Sequence, residues 1–181
     1  MKYIITEEQY NKLHQEEEIL ELPSFSVFNN DWDLLQRYLN KRGNPKYSMK
    51  GDLNLRKKEV KSLGRLVSVT GNLDLRFTNI ESLGDLTSVG GYLLLRDSNI
   101  NTLGNLTSVG GGLDLSFSKV ESLGNLTSVG GGLTLFATPI KSLGNLTYVG
   151  GNLDTTDTQL PKIYQTKEKI RSMVEVLGYI F

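Results

Sequence analysis

The chain has 181 residues, with 20 basic and 20 acidic side chains, one histidine and no cysteine. The lack of cysteine excludes disulfides, thiolate catalysis and cysteine-ligated metals, and a lone His14 argues against a Ser-His-Asp triad or a histidine-rich metal site. Balanced charge argues against attraction of the whole molecule to nucleic acid. The sequence also lacks a membrane-length apolar run and a secretory signal, so we expect a cytoplasmic protein without membrane contact or cofactor.

The first 50 residues carry two helix signals. Thr6 followed by Glu7–Gln9 predicts a capped first helix. Asn30 or Asp31 is a suitable N-cap for a second helix, which we expect to end near Gly43. The apolar face of this second helix would hold Trp32, Leu35, Tyr38 and Leu39. We therefore interpret residues 1–50 as a helical N-terminal cap.

A 20-residue repeat occupies residues 51–160, with five full copies and a partial sixth. We number its positions from Gly51, the first residue of the first copy. Positions 3, 13 and 16 are leucine in every full copy, position 5 is leucine, position 10 is valine or isoleucine and position 19 is valine. No insertion breaks this register, which predicts a solenoid of stacked coils.

The spacing of the apolar positions predicts the path of each coil. Positions 3 and 5 have the period-two spacing of a short strand with one inward face. Later apolar positions come every third residue, which suits a 3₁₀-like or irregular return. Glycine at positions 1 and 14 indicates corners, with positive φ or close backbone approach.

The pattern L-x-L-x-x-[T/S]-x-[I/V]-x-x-L, seen in Leu73, Leu75, Thr78, Ile80 and Leu83, resembles the leucine-rich repeat family. The short repeat spacing is similar to that of the receptor L domain variant of this solenoid. The near-identical repeats are similar to those of small leucine-rich-repeat proteins of bacteria and their viruses. The resemblance implies an α/β solenoid: a right-handed coil with one parallel β-sheet, in the host cytoplasm if the source is viral. Threonine or serine stands where the family usually has asparagine, so a flatter parallel β-helix remains the alternative.

The last 21 residues, 161–181, are predicted to form a C-terminal capping helix. Pro161 ends the repeats, and apolar residues at helical spacing predict a helix from about Thr166 to Leu177. We expect this helix to cover the last coil, with Tyr179 to Phe181 packed beside it.

The outward strand positions supply the candidate binding residues. Alternation places positions 2, 4 and 6 on one outer sheet face, where neighbouring coils lie about 4.8 Å apart, and position 7 adds Phe77 and Phe117. Arginine and aromatic side chains in such a row favour a protein partner, and closely stacked arginines favour an acidic one. We call this set the arginine–aromatic surface; it comprises Arg56, Arg76, Arg96, Asp74, Asp114, Phe77, Phe117 and Phe136. The competing interpretation is a solvated face with internal Arg–Asp pairs.

Two further features are expected to have neither a binding nor a catalytic role. Residues 41–66 are strongly basic and the first predicted helix is acidic; we expect these segments to pair with each other or to be solvated, and not to bind nucleic acid.

Asp74 and Asp114 lie two coils apart, about 9.6 Å by the coil spacing, which is close to the separation in inverting glycosidases. Nothing in the sequence around them raises a carboxyl pKa, so we expect no catalysis.

The sequence therefore predicts a non-enzymatic, monomeric protein-binding module that docks a macromolecular partner on its exposed sheet face. Two alternatives stay open. One is a structural or assembly component, such as a spacer or a virion-associated subunit. The other is carbohydrate binding through Phe77, Phe117 and Phe136 with nearby acidic and amide side chains.

Overall fold

The computed structural model describes residue 6 and residues 17–164 and 166–181. It is a parallel β-solenoid with coils of about 20 residues. The predicted first helix and His14 lie outside the described residues. Within the described part of the chain, no helix is long and apolar enough to cross a membrane.

Short strands alternate with turns along the whole solenoid. The N-terminal flank contains β1 (Leu20–Leu22), a 3₁₀ helix (Phe25–Phe28), α1 (Trp32–Asn40) and β2 (Tyr47–Met49). The repeats supply β3 (Leu53–Asn54), β4 (Leu66–Val69), β5 (Leu73–Asp74), β6 (Ser88–Val89), β7 (Leu93–Leu94), β8 (Ser108–Val109), β9 (Leu113–Asp114), β10 (Ser128–Val129), β11 (Leu133–Thr134), β12 (Tyr148–Val149) and β13 (Leu153–Asp154). The C-terminal flank contains a 3₁₀ helix (Lys162–Tyr164), α2 (Lys167–Arg171) and β14 (Glu175–Val176).

The strands form two parallel sheets among the described residues. The first sheet has the order β1-β2-β4-β6-β8-β10-β12-β14, and the second has the order β13-β11-β9-β7-β5-β3. In the second sheet Leu73 pairs with Leu93, and Leu93 with Leu113, so equivalent leucines lie over one another as the repeat predicts. The return path differs from the expectation: positions 18 and 19 form a second strand in each coil, because the in-register valines and serines find ladder partners in the next coil.

The core is a continuous column of aliphatic side chains. Positions 3, 5, 10, 13, 16 and 19 are no more than 4 % exposed in all five full repeats. Burying a leucine or valine side chain contributes about 2 kcal/mol, and each coil buries its set against both neighbours. Stacked coils are therefore required for this core to be closed.

The two predicted corners are confirmed, each with its own physical cause. At position 14 the glycine adopts a positive φ, +59° at Gly84, and its N–H donates to the hydroxyl of Ser82 at 3.1 Å. At positions 20 and 1 the backbones of adjacent coils approach closely. A Cβ added to Gly110 would lie 2.2 Å from the carbonyl oxygen of Gly90, so a side chain there would push the coils apart.

A third corner, at positions 5–8, was not foreseen. The residue at position 7 has a positive φ in every coil although it is never glycine; Phe77 has a φ of +59°. The position 8 hydroxyl closes the same turn, as Thr78 Oγ1 donates to the carbonyl of Leu75 at 2.7 Å. Four of the five hydroxyls at this position bond within their own coil in this way, those of Thr78, Ser98, Thr138 and Thr158. The buried hydroxyl of Ser118 has no hydrogen-bond partner among the described residues.

The second predicted helix is present in the N-terminal flank, but a helical cap is not confirmed, because the flank also contains two strands and a 3₁₀ helix. Asp31 caps α1 by accepting the N–H of Leu34 at 3.0 Å, and Leu35 and Leu39 are fully buried. Tyr47, in β2, packs inside this cap and donates its hydroxyl to the carbonyl of Leu63 at 2.8 Å. Burial raises the pKa of Tyr47, although a hydrogen bond with Gln36 partly opposes this shift.

The C-terminal flank differs from its prediction. The helix ends at Arg171, and the chain then adds β14 beside β12 and an Ile180 bridge beside Leu153. The helix prediction is therefore wrong beyond Arg171, because both sheet edges offer this segment unpaired backbone groups. The expectation that Tyr179 to Phe181 are packed away is also wrong: Ile180 is buried, whereas the side chains on either side of it are 74 % and 58 % exposed. With so little helix, the α/β character is not confirmed.

Candidate partner-binding surface

The arginine–aromatic surface lies on the outer side of the second sheet. Leucines at positions 3 and 5 point inward, so the side chains at positions 4 and 6 point away from the core. Arg56 and Arg96 are exposed, Arg76 is half-buried, and Asp74 is only 8 % exposed. The three arginines lie on successive coils, since β3, β5 and β7 are neighbours.

Asp74 and Arg76 form a bidentate ion pair within one coil. Arg76 Nε donates to Asp74 Oδ1 at 2.9 Å, and its Nη2 donates to Oδ2 at 2.5 Å. Burial alone would raise the pKa of Asp74, but hydrogen bonds from the side chain and backbone of Arg76, with the charges of Arg76 and Arg56, lower it overall. The hydrogen bond to Asp74 raises the pKa of Arg76. One arginine of the row is thus held in place internally.

The other two arginines lie against phenylalanine rings of the following coil. Arg56 Cζ is 5.4 Å from the ring centroid of Phe77, and Arg96 Cζ is 4.9 Å from that of Phe117. Phe136 meets Phe117 edge to face, with centroids 5.2 Å apart at 84°. Such cation–π contacts at exposed sites contribute about 0.5–1 kcal/mol, enough to orient the guanidinium groups without burying them.

The aromatic side chains at position 7 are exposed because of the left-handed turn. Phe77 and Phe117, with φ near +59° and +58°, are 42 % and 43 % exposed. A bulky residue at positive φ costs about 1 kcal/mol or more. The surface therefore presents large apolar groups at positions that a more stable chain would give to glycine or asparagine.

Asp114 is occupied in a different way. Its Oδ1 accepts the backbone N–H of Ser116 at 2.9 Å and the Ser116 hydroxyl at 2.6 Å. Asp154 likewise accepts the N–H of Thr156. The acidic side chains at position 4 therefore shape the turn that follows the strand, a local role that the sequence analysis did not assign to them.

The structure adds two contact candidates that sequence reasoning missed. Tyr92, at position 2, is 58 % exposed on this face. Asp97, at position 7, accepts from Arg96 Nε at 3.3 Å. Alternation from Leu93 places position 2 outward, so the first of these was accessible from the pattern. A shallow hollow of about 270 Å³ beside Tyr92 is lined by Asp52, Leu53, Asn54, Asn72, Asp74, Tyr92 and Leu94.

The basic segment is partly neutralised from the N-terminal side. Glu17 pairs with Arg65 and, at 3.8 Å, with Lys46, while Glu21 pairs with Lys50 at 2.9 Å. The hydrogen bond from Arg65 lowers the pKa of Glu17. These contacts match the expectation that acidic and basic segments pair. In the part of the chain that the structure describes, no ion pair neutralises Lys57, Lys58 or Lys61.

Among the described residues, no group of three or more histidine, aspartate or glutamate side chains is placed to hold a metal ion. The chain is a parallel β-solenoid with an arginine- and phenylalanine-lined outer face. Comparison with protein-family models, with curated proteins and with solved structures finds no match.

Proposed function

We propose that this solenoid is a non-enzymatic protein-binding module that docks a macromolecular partner through the arginine–aromatic surface. The observation that carries the proposal is the stacking of Arg56 and Arg96 on half-exposed phenylalanine rings of the next coil. Both arginines are exposed, although Arg96 Nε also donates to Asp97 at 3.3 Å. Arginine and aromatic anchors of this kind dominate the energetics of protein interfaces.

The rigidity of the surface supports the same proposal. Its side chains lie on or directly after strands of the second sheet, in which β5, β7, β9 and β11 have a ladder on each side. Little backbone order is therefore lost on binding. Positive charge at Arg56 and Arg96 favours a partner segment with carboxylates. The pairing of Arg76 with Asp74 leaves that arginine a positioning role in the middle of the row.

The leucine-rich-repeat assignment belongs to this proposal as well. The repeated L-x-L segment forms the strand that carries the surface, as that family's pattern implies, and a right-handed coil in the cytoplasm would follow from the assignment. The second strand in each coil, at positions 18 and 19, is instead a feature expected of the alternative geometry, a flatter parallel β-helix.

Selection of binding peptides on the full chain tests the docking surface. Peptides selected from a random library on the wild type should bind R56A/R96A at least about ten-fold more weakly, because each lost guanidinium removes directed donors at the contact. The matched control, K119A/K169A, removes two exposed lysines that do not belong to the arginine–aromatic surface and should leave affinity unchanged. Equal affinity for wild type and R56A/R96A would reject the surface.

A second candidate function, carbohydrate binding, is favoured by the hollow beside Tyr92. An exposed tyrosine ring next to the amides of Asn54 and Asn72 offers a stacking face and hydroxyl-binding groups. A glycan array probed with wild type and Y92A separates the two functions. Loss of a glycan signal in Y92A but not in R56A/R96A would favour the sugar-binding role.

The assembly alternative has a direct test. Light scattering across a hundred-fold range of protein concentration should give the monomer mass throughout. A stable oligomer would favour the spacer or subunit role.

A further inference from the structure

The second sheet has an open edge at β3. In interior coils, the carbonyls at positions 2, 4 and 6 accept N–H groups from the coil before. Leu73, Leu75 and Phe77 donate in this way to the third coil at 2.8, 2.8 and 3.1 Å. No repeat coil precedes the first one. The equivalent carbonyls, those of Asp52, Asn54 and Arg56, receive no hydrogen bond from the residues that the structure describes.

Along β3, the backbone N–H groups point alternately toward the second coil and toward the open edge, as in a strand that has a neighbour on one side only. Leu53 and Leu55 direct their N–H groups to the second coil, each at 2.8 Å. The N–H of Asn54 therefore points the other way, and it too finds no acceptor in the described ranges. Three acceptors and this donor are the set that an added parallel strand would use.

The flanking segments close other edges. β1 and β2 extend the first sheet at its N-terminal end. At the other end, the C-terminal residues cover β13: Leu153 donates to the carbonyl of Tyr179 at 2.8 Å, and Thr155 donates to that of Phe181 at 3.1 Å. These C-terminal carbonyls accept from β13 as a seventh coil would. No described residue does the same for β3.

The surroundings of this edge are basic. Lys57, Lys58 and Lys61 are exposed, lack ion pairs within the described segments, and are opposed locally by Asp52 and Glu59. Position 8, which holds a buried hydroxyl in Thr78, is an exposed lysine in the first coil. The edge therefore combines unpaired main-chain groups with a local excess of positive charge.

We propose that β3 binds an extended acidic peptide segment of a partner protein as an added parallel strand. The segment's amides donate to the carbonyls of Asp52, Asn54 and Arg56, and one of its carbonyls accepts the N–H of Asn54. Its carboxylates face Lys58 and Lys61. Because Leu53 and Leu55 are already buried, main-chain bonds and charge carry the affinity, which falls with added salt.

Amide hydrogen exchange on the full chain tests the site. The probe is a synthetic peptide of about eight residues that alternates glutamate and valine. Without peptide, the Asn54 amide should exchange rapidly because it has no acceptor. With saturating peptide, its exchange should slow by about ten-fold or more, whereas a peptide with lysine in place of glutamate should have no effect. A peptide N-methylated at alternate amides should bind much more weakly.

Charge reversal supplies the matched variants. K58E/K61E should bind the acidic peptide at least about five-fold more weakly, while K119E/K169E, the same charge change elsewhere, should bind as the wild type does. Neither pair contains a residue of the arginine–aromatic surface, so failure here leaves the proposed function standing.

Three results would overturn the inference. The first is no binding of the acidic peptide. The second is binding without added protection of the Asn54 amide, which would place the peptide elsewhere. The third is slow exchange of that amide in the free protein, which would show that another part of the chain, or a second copy if protection rises with concentration, already holds the edge.

Discussion

Asp74 shows how a single side chain serves both the fold and the candidate site. It orders the turn by accepting the backbone N–H of Arg76 at 3.1 Å, and its carboxylate fixes the guanidinium of the same residue. The carboxylate is only 11 % exposed, so its charge depends on this partner. The pair therefore links the stability of the second coil to the charge state of one buried acid.

Removing this charge should destabilise the protein. D74N keeps an acceptor for the turn but loses the ion pair, and we expect the free energy of unfolding at pH 7 to fall by about 1–2 kcal/mol. Urea unfolding measures the change. The control D154N alters the same repeat position, where no arginine is paired, and should cost less than half as much. Equal losses would show that the ion pair contributes nothing.

The same pair predicts a dependence on pH. Because the folded state lowers the pKa of Asp74, its contribution is present above the ordinary pKa of 3.8 and is lost as pH falls below that value and through the folded pKa. The stability difference between wild type and D74N should therefore shrink in acid. A difference that stays constant from pH 7 to pH 2 would contradict this linkage.

Position 7 stores strain that one substitution can release. Ala137, the only alanine in the chain, has a φ of +54°. A137G should raise the free energy of unfolding by about 0.5–1 kcal/mol, because relief of the left-handed penalty exceeds the entropy that glycine adds to the unfolded chain. The control S108G changes a residue in a regular strand and should lower the free energy of unfolding. Thermal unfolding of both variants gives the sign of each change in stability. A destabilising effect of A137G would refute the argument.

At the scale of elements, the glycines at position 20 set how closely coils approach. G110A would place a methyl group 2.2 Å from the carbonyl oxygen of Gly90, and the three nearest atoms all belong to the backbone of Gly90, so no flexible side chain can yield. We expect a loss of about 3 kcal/mol or more, or failure to fold. The control G124A has a φ of +56° with open space around the new Cβ, so it should cost only about 1–2 kcal/mol. Urea unfolding should rank the two variants in this order; the reverse order would show that close approach is not limiting.

The repeat predicted the inward leucines, the glycine corners and the stacking because each depends on a local residue choice made five times over. The second strand was missed because an L-T-S-V-G segment has no period-two pattern; only the pairing of Val89 with Val109 in the next coil makes it a strand. The C-terminal helix was overpredicted for a similar reason. Ile170 and Val174 fit helical spacing, but Val176 gains a ladder partner in Val149 that a helix would forgo.

The candidate site was predictable in membership but not in its internal contacts. Alternation placed Arg56, Arg76 and Arg96 outward. Their contacts were not predictable: Arg76 and Arg96 each pair with an aspartate, and Arg56 and Arg96 each lie against a phenylalanine ring. These rings reach the surface through the left-handed turn at position 7, for which Phe77 carries no sequence signal.

At the scale of the whole molecule, stability should depend on coil register more than on coil number. Deleting residues 92–111 joins position 1 of one coil to position 2 of another, so every ladder can re-form. We expect a cooperative fold with a slightly smaller urea m-value, because less surface is buried. The control, deletion of residues 92–101, breaks the register and should unfold the solenoid. Circular dichroism with urea titration measures both, and an unfolded in-register variant would show that these coils are not equivalent units.

The in-register stacking of Leu73, Leu93 and Leu113 also divides the outer face into fixed increments. Any two contact groups one coil apart stand about 4.8 Å apart along the axis, and no intermediate separation is available to them. A partner that contacts two coils must therefore match a multiple of this spacing. Gain or loss of one coil would change the length of the outer face by one such step.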